Sequence, residues 1–439
     1  MIPTVHSPMD GVTLRVCRTE KFKSNMLSVS AVLPIQKDSV YKTSLLFSVL
    51  RRGSCRYPTL ADLNARLDYL YGTEIAIHNF YRGDSQIVGF SAELLGPEYL
   101  PQGASLLRDV LEVLCQILFH PLLDGNGNLT EKYVESEKKL QCDAIRALKN
   151  NPRAYATARC RELIYQDEPC GLSPNGREEE VMAVTPAELT QHWQALLQGL
   201  SLDCFYVGNQ EPAELTRALQ DTLGRETFGD ARQPRGPLCR ALASPKETPL
   251  RAEEELPVSQ GHLMMGFRTN ATLTDPGFSA CVVMNELLGV SPISKLFVNV
   301  REKLSLCYSC GSSYNFYKGT VLIHCGLDPV NRDRAEAEIL SQLAALQRGD
   351  FTAEELAAAK SSLENSYRQL TDSPGAMESF YYGRALLGST ATIDSTRADF
   401  AKVTREDVIA AACGLRADTV YFLKGTLEEG GDEDEDDGV

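Results

Sequence analysis

Few side chains in this 439-residue sequence have the type and spacing for chemistry, and the histidines decide the first question. They are His6, His78, His120, His192, His262 and His324. The helical zinc motif His-Glu-x-x-His and its inverse His-x-x-Glu-His need two histidines four apart, so that both imidazoles share one helix face. The closest two here, His78 and His120, are 42 positions apart, and no histidine has glutamate three residues on. A local two-histidine zinc site is therefore excluded. Cys307-Tyr308-Ser309-Cys310 is the one Cys-x-x-Cys pair. A zinc knuckle needs a second such pair. The segment also reads as strand, where positions three apart face opposite sides. Glu188 and His192, four apart on an expected helix, read as a surface ion pair. Gly-x-Ser-x-Gly is absent, so no nucleophile elbow is indicated. No Gly-rich loop ending in Lys-Ser/Thr is present to cradle phosphate.

The most informative stretch is Leu287-Leu288-Gly289-Val290-Ser291-Pro292-Ile293-Ser294-Lys295-Leu296-Phe297, continuing through Arg301-Glu302-Lys303-Leu304-Ser305-Leu306-Cys307-Tyr308. It closely resembles the second-domain signature of the M16 (pitrilysin/insulinase-like) zinc peptidases. The resemblance implies that Arg301 and Tyr308 are substrate-binding residues. They would donate to a peptide carbonyl and favour the tetrahedral oxyanion. One such donor is worth roughly 3–4 kcal/mol of barrier.

The same resemblance implies an inverted zinc motif on a first-half helix followed by glycine. Here that helix would run from Tyr41 to Arg52 and end at Gly53-Ser54. Anchored on Gly53 without gaps, the family's His, Glu and His fall on Ser44, Phe47 and Ser48. The distal glutamate ligand falls at or near Ala144, on a helix over Glu135 to Ile145. Serine hydroxyls are poor zinc ligands beside imidazole and carboxylate. Phe47 cannot take a proton from water, which removes the general base. The expectation is a degenerate metal site, no catalytic residue and no cofactor on this chain, with zinc only in a partner subunit.

M16 families include paired subunits, one resembling the zinc bearer and the other supplying the arginine and tyrosine. This chain matches the second kind. It further resembles the metal-less member of a bacterial M16-like pair associated with elongation factor P 5-aminopentanol modification. The resemblance thus implies a non-catalytic subunit that pairs with a zinc-bearing M16 homologue, or with a second copy of itself, and orients a peptide held on an edge strand. The rival is a structural M16-like scaffold with no role in proteolysis.

The elements that would position these residues occur twice. Asn79-Phe80-Tyr81-Arg82-Gly83 returns as Asn315-Phe316-Tyr317-Lys318-Gly319, each flanked by strand-like runs that read as a hairpin. Leu129-Thr130-Glu131 and Phe351-Thr352-Ala353-Glu354 each open a charged helix with threonine at the cap. Val184-Thr185-Pro186-Ala187-Glu188 parallels Val403-Thr404-Arg405-Glu406-Asp407, and Cys204-Phe205-Tyr206-Val207-Gly208 parallels Val420-Tyr421-Phe422-Leu423. Four pairs in one order mark an internal duplication. Each half reads strand, helix, helix, hairpin, long helices, strand, which gives an α+β class. The expectation is two homologous sandwich domains with antiparallel-rich sheets covered by helices. They divide as 1–228 and 229–427, with a Pro/Gly/Arg-rich linker at 229–237. A second copy is expected to begin near a strand over Gln260 to Phe267.

Composition is that of a globular protein, 43% hydrophobic and 23% charged. Of the net charge of −15, eight charges sit in the tail 428–439, which is expected to be disordered. The acidic balance argues against nucleic acid as a partner. No apolar stretch is long enough for a membrane helix, and residues 1–16 lack the apolar core of a signal peptide, so a cytoplasmic location is expected. The thirteen scattered cysteines are expected to be buried, reduced thiols.

Overall fold

The computed structural model describes residues 2–101, 106–226, 237–239, 246–269 and 271–427. The linker expected over 229–237, apart from Pro237, and the acidic tail 428–439 lie outside the described residues. The first half runs β1 (Thr4–Met9), β2 (Val12–Arg18), β3 (Ser24–Pro34), α1 (Val40–Leu50), α2 (Leu60–Tyr69), β4 (Glu74–Arg82) and β5 (Ser85–Leu95). It continues with α3 (Leu106–Phe119), α4 (Glu131–Ala147), α5 (Pro152–Ile164), α6 (Glu178–Ala183), α7 (Pro186–Gln198), β6 (Leu202–Gly208) and α8 (Pro212–Leu223). The second half runs β7 (Leu250–Leu256), β8 (Gly261–Arg268), α9 (Phe278–Asn285), wide-wound π-helical segments over Glu286–Val290 and Leu296–Lys303, β9 (Ser309–Asn315) and β10 (Thr320–Leu327). It ends with α10 (Arg332–Arg348), α11 (Ala353–Gln369), α12 (Pro374–Leu386), α13 (Ile393–Lys402), α14 (Arg405–Gly414) and β11 (Arg416–Gly425).

The duplication is visible strand by strand. One sheet has the order β1-β2-β6-β3-β5-β4 and the other β7-β11-β8-β10-β9. After β1, the orders correspond position by position. β6 lies parallel to β2 and antiparallel to β3, as β11 lies parallel to β7 and antiparallel to β8. The repeated Asn-Phe-Tyr segments lead into the turn of each hairpin, as the last residues of β4 in the first and, beyond Asn315 at the end of β9, as the turn itself in the second. Gly83 and Gly319 take φ of +57° and +59° at the turns, a conformation that glycine adopts without a Cβ penalty. The paired threonine motifs open α7 and α14 with reciprocal capping boxes, Thr185 with Glu188 and Thr404 with Asp407. Thr352 and Glu355 exchange the same two bonds at α11. Thr130 instead donates its hydroxyl to the Leu122 carbonyl, at 2.9 Å.

The chain forms two compact units that exchange segments across the linear division at 228/229. Over the described residues, one draws on 2–146, 167–239 and 366–396, the other on 147–166, 246–365 and 397–427. In the first, side chains alternate along β5. Val88, Phe90, Ala92 and Leu94 join a core with Leu45, Leu46 and Phe47 of α1 and Val110, Leu111 and Leu114 of α3. Ile87 joins Cys17, Val32, Phe205 and Val207 on the other face, which is covered by Met377, Phe380, Tyr381 and Tyr382 of α12. In the second unit, α5 packs on β8 and β11. Gly266 allows this approach: a Cβ there would meet Ile164 Cδ1 at 2.3 Å. Tyr155 and Arg159 of α5 both donate to Glu254 of β7 at 2.8 Å. A sheet with two apolar faces needs cover on both. The borrowed helices α5 and α12 supply it. Among the described residues no helix is long and apolar enough to cross a membrane.

Candidate functional site

The Leu-Leu-Gly run forms the wide-wound segment Glu286–Val290, with Leu287 and Leu288 buried. Gly289 is required by packing, because a Cβ there would meet the Ser312 backbone nitrogen of β9 at 2.6 Å. The next segment, Leu296–Lys303, buries Leu296 and Val300 and is fixed by Lys295 to Glu355 at 2.8 Å and Asn299 to Gln342 at 2.7 Å. Its exit is a tight reversal. The amides of Leu304, Ser305 and Leu306 donate to the carbonyls of Asn299, Arg301 and Val300. Ser305 takes φ +49°, the left-handed region. That conformation costs a non-glycine residue roughly 1–2 kcal/mol. Ser305→Gly should raise stability by about 0.5 kcal/mol after glycine's own entropy cost, read as a small rise in urea midpoint with an unchanged slope.

Arg301 and Tyr308 bracket this reversal. The Arg301 side chain is 41% exposed, its guanidinium 4.8 Å from the centre of the Phe297 ring and 3.6 Å from Glu302. Tyr308 is 45% exposed, while its amide donates to the Gly326 carbonyl at 2.8 Å. From the sequence, Cys307 to Cys310 reads as strand. The strand begins only at Ser309, and Tyr308 is the last residue before it. The reversal on Ser305 uses up the preceding residues. β9 is an edge strand.

Cys307 lies inside the reversal. Its sulfur forms a group with those of Cys310 and Cys325, all within 4.8 Å of one another. The Cys-x-x-Cys reading missed this because the third thiol comes from β10, where Cys325 is the register partner of Cys310. Hydrogen bonds from Cys310 and Cys325, with the charge of Arg301, hold the Cys307 thiol well below its ordinary range. The two donor thiols are pushed up by the same sharing. Not all of the cysteines are buried: Cys55 and Cys413 are exposed.

The residues expected at the degenerate metal motif belong to the other compact unit. Ser44 is buried on α1. Its hydroxyl donates to the Pro174 carbonyl at 2.5 Å and accepts from Asn79 at 2.7 Å. Ser48 donates to the Ser44 carbonyl at 3.3 Å. Phe47 is 2% exposed and its ring centre lies 5.4 Å from that of Phe90. Ala144 is exposed on α4. The α4 side chains that reach toward α1 are Glu137, paired with Arg52, and Gln141, which donates to the Asn175 carbonyl at 2.8 Å and the Tyr41 carbonyl at 3.4 Å. A hydroxyl already committed to a carbonyl, a buried phenyl ring and a methyl group do not fit a zinc ion. Glu188 and His192 are not an ion pair. Glu188 caps α7 through Thr185. His192 bonds Thr43 at 2.9 Å, and burial lowers its pKa to about 4, so it is neutral.

Comparison with known proteins agrees with this architecture. Residues 183–363 match the family model described as the peptidase M16 inactive domain. The chain is 32% identical over 416 residues to the probable inactive metalloprotease YmfF of Bacillus subtilis, covering 95% of this chain and 96% of that one. It is 23% identical over 331 residues to the uncharacterized zinc protease YmxG of the same organism, covering 73% and 75%. A crystal structure of a conserved protein from Enterococcus faecalis superposes with a TM-score of 0.89 at 24% identity, over 98% of this chain and all of that one. By this relationship and its duplicated sheets, the chain belongs to the M16 peptidase family, as an inactive homologue.

Proposed function

We propose that this protein is a non-catalytic M16 subunit that pairs with a zinc-bearing homologue and orients a peptide for cleavage by that partner. One observation carries the reading. Arg301 and Tyr308 stay exposed at the two ends of a reversal pinned by three backbone hydrogen bonds, while Ser44 and Phe47 are buried. A fixed, exposed guanidinium and phenol are donors suited to a peptide carbonyl that gains negative charge. β9 starts beside Tyr308 and is, among the described residues, an edge of its sheet, on which a peptide can add as a strand. The occurrence of both a probable inactive metalloprotease and a zinc protease in one organism, each similar to this chain, supports pairing.

Affinity purification from the native host at low salt is the direct test, with co-eluting chains sequenced. A stoichiometric partner carrying His-x-x-Glu-His is expected. In the reconstituted pair, Arg301→Ala should leave assembly intact and lower kcat/KM for peptide cleavage by about 100-fold. Partners without that motif, or a pair indifferent to Arg301→Ala and Tyr308→Phe, would replace this reading with that of a structural scaffold.

A further inference from the structure

Three thiols meet at Cys307, Cys310 and Cys325, each from a different backbone station: a reversal, an edge strand and the strand beside it. Buried singly, cysteine behaves as a small apolar residue. Here the three sulfurs lie within 4.8 Å of one another. Four thiolates at about 2.3 Å around a tetrahedral zinc are separated by about 3.8 Å, so closing onto an ion needs a movement of about 1 Å at most. Cys310 and Cys325 are buried on the sheet, while Cys307 is only partly buried. Among the described residues no fourth histidine, cysteine or carboxylate joins the group. Three ligands with an open fourth position are a known mode of zinc binding, and soft thiolates select Zn(II) and Cu(I) over harder cations. Three thiolates around Zn(II) carry a net charge of −1, which the neighbouring Arg301 charge offsets.

We propose that Cys307, Cys310 and Cys325 form a three-thiolate site for a thiophilic d10 cation, Zn(II) before Cu(I), with the fourth position left to an exogenous ligand. The site is separate from the degenerate motif at Ser44, Phe47 and Ser48, which lies in the other compact unit. It also stands independently of the peptide-binding reading. Metal binding there displaces the remaining thiol protons, so uptake releases protons and weakens as pH falls. It also ties Cys307, the residue before Tyr308, to two strands.

The full-length reduced chain, stripped of metal, is titrated with Zn(II) against a chromophoric chelator, with Co(II) as a spectroscopic probe and Cu(I) in a parallel arm. Exposed Cys55 and Cys413 are first replaced by serine so that they cannot contribute. One equivalent of metal is expected, with thiolate-to-cobalt charge-transfer bands. Cys307→Ser should weaken binding by more than about 100-fold. Cys325→Ser should do the same, with circular dichroism checking its fold because that site is buried. Tighter uptake of Cu(I) than of Zn(II) would keep the three-thiolate site but overturn the order Zn(II) before Cu(I). No stoichiometric uptake, or uptake unchanged in Cys307→Ser, would overturn the proposal.

Discussion

Phe47→Glu should destabilise the protein by more than about 4 kcal/mol. Truncating a buried phenylalanine to alanine alone costs about 3–5 kcal/mol through lost transfer energy and the cavity left behind. Glutamate adds a carboxylate in a place where Leu45, Leu46 and Phe90 offer no donor. The expected result in urea is a large fall in midpoint or loss of the folded state at neutral pH. Retention of the wild-type midpoint would show that Phe47 is not part of the core. The same reasoning bears on installing His-x-x-Glu-His at the positions expected for it. Ser44→His with Phe47→Glu and Ser48→His would place ligands where Ser44 now joins α1 to the Pro174 carbonyl and where Phe47 fills the space beneath β5. The triple variant is expected to unfold rather than bind zinc.

Glu378→Gln should stabilise the protein at pH 8 and lose that advantage as the pH falls toward 4.5. Glu378 lies on α12 in the face covered by that helix. The Ser28 hydroxyl donates to it, Arg82 partly offsets its charge, and Cys17 and Tyr382 are the other ionisable groups that sense it. Burial raises its pKa from 4.5 to about 7, against the smaller opposing effects of Ser28 and Arg82. An acid with a raised native pKa binds its proton more tightly when folded. Its unfavourable ionisation is absent below 4.5, grows as pH rises through the interval to 7, and is complete above it. The shift corresponds to about 3 kcal/mol at pH 8. Glutamine keeps an acceptor for Ser28 without the charge. Urea midpoints at pH 5 and pH 8 read the effect, and a difference that does not change with pH would remove Glu378 as its source.

Local patterns were legible in the sequence wherever a short segment decides its own structure. The two hairpins, their turn glycines and the threonine caps of α7, α11 and α14 follow from a few adjacent residues, and the structure contains them. The strands β6 and β11 follow from continuous apolar runs. β7 was hidden because four of its seven residues are charged. Its alternating exposure is that of an edge strand, where charge protects an open row of backbone groups. The start of the second repeat was therefore read one strand late, at β8. Long-range partners were illegible for a different reason. Cys325 meets Cys310 only through strand register, and His192 finds Thr43 only once α7 packs on α1. The spacing of Glu188 and His192 made an ion pair geometrically available, but Glu188 was already committed to its own helix start. In the candidate site, the exposed guanidinium and phenol occur at Arg301 and Tyr308, whereas the wide-wound helix and left-handed Ser305 that hold them have no local signature.

The segment exchange has a consequence for the order of events on the ribosome. The last strand of the first sheet, β6, is complete at Gly208, but the helix that covers one face of that sheet ends only at Leu386. At about 5–20 residues per second, the nascent chain carries that sheet for roughly ten to forty seconds before α12 has been synthesised. Through that interval Val32, Ile87, Phe205 and Val207 lack their final cover. A nascent chain stalled or cleaved near residue 228 would keep that face bare, so the first repeat made alone is expected to need a chaperone or to aggregate, however complete its own run of strands.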